Sequence, residues 1–69
     1  MERLHEPISA TKELLSVPEL AEFLGISVAS IYRMIERRSI RFIRLARHIR
    51  FRRSDVESYL EERVVEQIR

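Results

Sequence analysis

The sequence predicts a small, mainly α-helical domain with one β-hairpin, in the order helix, helix, hairpin, helix. Three observations lead there. Residues 16–24, 27–38 and 54–68 place apolar residues at helical spacing, and each stretch opens on a serine. Residues 41–52 switch to a two-residue apolar period. A single glycine, Gly25, separates the first two helical stretches. With 69 residues and no cysteine, the chain forms one domain with no disulfide to support its core.

Residues 1–12 show no periodicity and contain Pro7, so they read as a flexible N-terminal arm before a domain spanning 13–69. Ser16 and Glu19 have the spacing of a capping box, with Leu15 and Leu20 placed for a hydrophobic staple. Pro18 falls in the first turn, where its missing N–H costs nothing. Val17, Leu20, Ala21 and Leu24 make the apolar face, and Gly25 ends the helix as a left-handed cap. Ser27 opens the second helix as its N-cap. Val28, Ile31, Met34 and Ile35 form its stripe, which runs to about Arg38.

In the hairpin, Ile43 and Leu45 flank Arg44, and Ile49 and Phe51 flank Arg50. Turning all four apolar residues one way pairs Leu45 with Ile49 and Ile43 with Phe51. That register leaves a three-residue loop, Ala46-Arg47-His48, without the glycine or asparagine such loops favour. The last helix opens on a second capping-box spacing, Ser54 to Glu57. Val56, Tyr59, Leu60, Val64 and Ile68 share one face; Glu57, Glu61 and Glu62 lie on the other.

The net charge of +2 is unevenly spread. Residues 33–53 carry nine arginines and one acid, Glu36, whereas residues 1–32 and 54–69 each carry a net −3. A block this basic between acidic flanks points to a polyanionic partner, and arginine's planar fork suits phosphate or guanine. No apolar run exceeds two residues, so no membrane span is expected, and the protein is expected in the cytoplasm, at the nucleoid. Two distant histidines, His5 and His48, make no metal site, and no cofactor is expected. With one aspartate, Asp55, at a helix start, and glutamates on solvated faces, catalysis has no visible machinery, and an enzyme is not expected.

The first two helices have the spacing of a helix-turn-helix. Ala21 is small enough for close helix crossing, Gly25 allows the turn, and Ile31 fills the angle between the helices. Leu20, Leu24, Ile26 and Met34 take the remaining core positions. The pattern sets the start of the second helix to enter a major groove. Residues 14–60, through "SVPELAEFLGIS", "IYRMI" and "RHIRFRRSDVESYL", resemble the excisionase-type helix-turn-helix domains, part of the winged-helix group with the mercury-resistance-type regulators. The resemblance implies a winged helix-turn-helix in which Ser27–Arg38 reads the major groove and Ile43–Phe51 reaches the backbone or minor groove. It implies double-stranded DNA as partner, self-association or cooperative binding on adjacent sites, and a recombinase. The usual pattern has glycine at Arg38 and Ala46, proline at Arg41, and a basic or polar residue at Val28.

On the second helix, Val28 suits a thymine methyl beside the small Ala29 and Ser30. Arg33 and Arg37, one turn apart, suit base or phosphate contact; the alternative is a solvated face. Arg44, Arg47, His48 and Arg50 decorate the wing. Charges also guard edge strands against aggregation, but there lysine and mixed signs are usual. Arg52 and Arg53 divide evenly between phosphate contact and packing of their stems over apolar surface. Tyr32 suits a hydroxyl contact to phosphate, and Ser27 a backbone contact added to its cap. Val64, Val65 and Ile68 either dock on a neighbour or belong to a frayed end. The competing class is a protein-interaction module, such as an antitoxin or an adaptor with a basic surface. Its binding would survive high salt and need no duplex.

Overall fold

The computed structural model describes residues 13–67. The predicted arm, 1–12, and Ile68 lie outside the described residues. Six elements follow in order: β1 (Leu14–Leu15), α1 (Val17–Leu24), α2 (Val28–Glu36), β2 (Ile43–Leu45), β3 (His48–Arg52) and α3 (Arg53–Glu61). The result is a mainly helical winged helix-turn-helix with a three-stranded antiparallel sheet in the order β1-β3-β2.

Local chemistry fixes the two N-terminal helices. The Ser16 N–H donates to Glu19 Oε1 at 2.9 Å, and the Glu19 N–H donates to Ser16 Oγ at 3.2 Å, completing the capping box. Gly25 turns left-handed at φ 72°, and the N–H groups of Gly25 and Ile26 close on the Ala21 carbonyl at 2.8 and 3.1 Å. Ser27 caps α2 by accepting from the Ser30 N–H at 3.1 Å. α2 stops at Glu36, two residues before the sequence reading. There Arg38 turns left-handed (φ 58°), and the Arg38 and Ser39 N–H groups donate to the Ile35 and Met34 carbonyls. This is a Schellman motif with arginine in the position glycine usually takes.

The core joins Leu15, Val17, Leu20, Ala21, Ile31, Ile35, Ile40, Phe51 and Val56. Phe51, on the central strand, is fully buried and pairs with Leu15 of β1. In the sequence Leu15 has only the spacing of a staple, because two residues are too few for a period-two signal. Ile40 is buried without being part of any pattern, because the connector folds back over the core.

The hairpin register differs from the expected one. Leu45 pairs with His48, Arg44 with Ile49 and Ile43 with Arg50, leaving the two-residue loop Ala46-Arg47. Ala46 sits at φ 55°, where a tight hairpin usually has glycine. A one-residue slip turns a whole strand over. Leu45 is therefore exposed, and only β3 keeps its apolar residues on the core face. α3 also starts one residue early. Arg52 is its N-cap without a side-chain cap bond, so Ser54 does not cap. The Arg53 N–H instead donates to the Glu13 carbonyl at 2.9 Å, tying the helix start to the β1 side of the sheet. Ile26, Val28 and Leu60, expected on apolar faces, are exposed, as are Val64 and Val65 beyond the end of α3.

Candidate nucleic-acid interface

α2 buries Ile31 and Ile35 and turns Val28, Ala29, Tyr32 and Arg33 outward, and Arg37, just past its end, is exposed as well. The exposed positions recur at helical spacing because the buried ones do. At the start of α2, Ser27 Oγ donates to Ser30 Oγ at 3.0 Å, and Arg33 Nη2 donates to the same Ser30 oxygen at 3.2 Å. This relay lays the Arg33 side chain along the helix toward its N-terminal end.

The hairpin brings a second group to the same side of the fold. A cleft of about 190 Å³ is lined by Tyr32 of α2, by Arg47, His48, Ile49 and Arg50 of the wing, and by Ser16, Val17 and Pro18 at the start of α1. Arg50 is half-buried, and its Nη1 donates to the Ile49 carbonyl at 2.8 Å, which restrains the guanidinium. Tyr32 is fifteen residues before Arg47, and the tertiary fold brings it to the wing residues Arg47, His48 and Arg50.

Three of the expected contact residues lie elsewhere. Arg44 faces away from Arg50, because it pairs with Ile49 and neighbouring strand positions alternate faces. Arg52 is 3.4 Å from Asp55, whose carboxylate is mostly shielded. Arg53 is 3.8 Å from Glu57, lies over the Phe23 ring at 5.7 Å, and has a buried Nη1 with no hydrogen-bond partner. Both arginines are engaged around α3.

The ion pairs divide the basic residues cleanly. Arg41, Arg52, Arg53 and Arg63 each have a carboxylate neighbour. Arg33, Arg37, Arg38, Arg44, Arg47 and Arg50 have none among the described residues. Arg38 is not among the contact residues expected from the sequence; the resemblance marks it only as standing where glycine is usual, and its backbone is left-handed at φ 58°.

A family model described as a helix-turn-helix domain matches residues 14–64. The chain belongs to that family. As a helix-turn-helix domain it is a DNA-binding module, of a kind typically without enzymatic activity. The match spans all six elements, wing included. Comparison with curated proteins and with solved structures gives no match. Among the described residues, no helix is long and apolar enough to cross a membrane, and no group of three histidine or acidic side chains is placed to hold a metal.

Proposed function

We propose that the domain binds duplex DNA with α2 in the major groove and the wing against the adjacent backbone or minor groove. One observation carries this reading: among the described residues, the arginines without an internal acid are all in α2, the connector and the hairpin. An unpaired guanidinium leaves its charge and its donors for an external anion. Arg33, held by Ser30, is the candidate for a base edge, beside Val28, Ala29 and Arg37. Ser27 and Ser30 order the helix start. Tyr32, Arg47, His48 and Arg50 form a cleft with room for a backbone phosphate. Arg44, Arg52 and Arg53 are secondary.

The finer assignment is an excisionase-like architectural factor in recombination, with copies on adjacent sites and a recombinase as partner. It rests on the resemblance of residues 14–60. Titration on two adjacent sites tests it: without cooperativity, a small transcription regulator becomes the better reading.

The test of DNA binding is fluorescence anisotropy with random-sequence duplex across a salt series. Arg47→Ala/Arg50→Ala is expected to flatten the log–log slope by about two. Absence of binding at low salt would overturn the proposal in favour of a protein partner.

A further inference from the structure

The hairpin register divides the arginine block into two groups on separate concavities. Arg47 and Arg50 line the cleft with Tyr32. Arg38, Arg41 and Arg44 surround a larger concavity of about 430 Å³, completed by Ser39, Ile40 and Phe42. The DNA-binding surface proposed above takes only Arg44 from this second group, as a secondary contact.

Its surface is cationic over an apolar base. Ile40 is buried beneath it, and Phe42 is half-buried against the core. The Arg44 guanidinium lies over the Phe42 ring, 5.8 Å from the centroid. Arg41 approaches Asp55 only to 4.0 Å and keeps 81% of its side chain exposed. Arg38, in the left-handed position just past α2 (φ 58°), keeps its side chain exposed at the edge of this concavity.

The neighbouring trough decides which anion fits. It shares Ser39, Ile40 and Arg41 but is walled by Asp55 and Glu62. A continuous polyanion, such as a second duplex, would run from the guanidiniums onto those carboxylates. A short chain with a few acids around an apolar side chain would not. We infer that this concavity docks an acidic, amphipathic segment of a partner protein. Its carboxylates meet Arg38, Arg41 and Arg44, and its apolar side chain meets Phe42. The inference goes beyond DNA binding and does not depend on it.

The experiment uses the full chain and a fluorescent synthetic peptide in which glutamates flank a central Leu-Leu pair, with polyglutamate of equal charge as comparison. The expected result is saturable binding of the peptide and much weaker binding of polyglutamate. Arg38→Ser/Arg41→Ser should weaken peptide binding about tenfold, since each exposed ion pair contributes up to about 1 kcal/mol. Both side chains are exposed, so thermal unfolding of the double variant should show the fold retained. Prebound duplex should leave the peptide in place. Equal binding of polyglutamate, displacement by duplex, or an unaffected double variant would each overturn the inference. So would sedimentation showing that the double variant dissolves a self-associated form, since the occupant would then be a second copy. Peptide binding by a chain that binds no DNA would support this inference while removing the DNA-binding proposal.

Discussion

Two serines at similar sequence signals behave differently. Ser16 takes part in a reciprocal pair of hydrogen bonds, whereas Ser54 lies inside α3, past its N-cap. Ser16→Ala is expected to cost about 1 kcal/mol, and Ser54→Ala under about 0.5 kcal/mol, measured by urea unfolding. Equal losses would show that Ser54 caps after all. Ala46 is left-handed where glycine carries no Cβ penalty. Ala46→Gly should therefore stabilise the domain by roughly 0.5–1 kcal/mol in the same assay. The resemblance marked Arg38 and Ala46 as unusual for lacking glycine, and the backbone shows why glycine suits both.

At the scale of elements, the hairpin is the informative case. Its alternation is plain in the sequence, but alternation alone does not choose between registers one residue apart. The observed register exposes Leu45 to 48%. Leu45→Thr should then change stability by less than about 0.5 kcal/mol. A loss near 2 kcal/mol would instead support the three-residue loop, with Leu45 on the core face. Phe51 is the opposite case: it is fully enclosed between β1 and the helices, and Phe51→Ala is expected to remove about 3–5 kcal/mol. In a domain this small that loss leaves little folded protein, which circular dichroism would read directly.

At the scale of the whole molecule, charge is sorted by the fold. The acids of α3 engage Arg41, Arg52 and Arg53, while α2 and the wing keep their arginines free of acids. On the DNA-binding proposal, Arg52→Met/Arg53→Met should leave the salt slope within about half a unit of wild type, whereas Arg47→Ala/Arg50→Ala lowers it by about two. Equal flattening by both pairs would show that the internal ion pairs open on binding.

Short-range signals by themselves determined the order of the three helices and the hairpin, the N-caps of α1 and α2, the turn at Gly25 and the basic block. Each depends on residues a few positions apart, where spacing and geometry are nearly the same thing. Only the tertiary structure decided the rest. β1 exists because β3 offers Leu14 and Leu15 a strand to pair with. α3 starts at Arg53 because the Glu13 carbonyl accepts that N–H. Arg44 parts from Arg50 because the loop has two residues and not three. These outcomes depend on partners distant along the chain, and a local pattern holds no record of which partner wins.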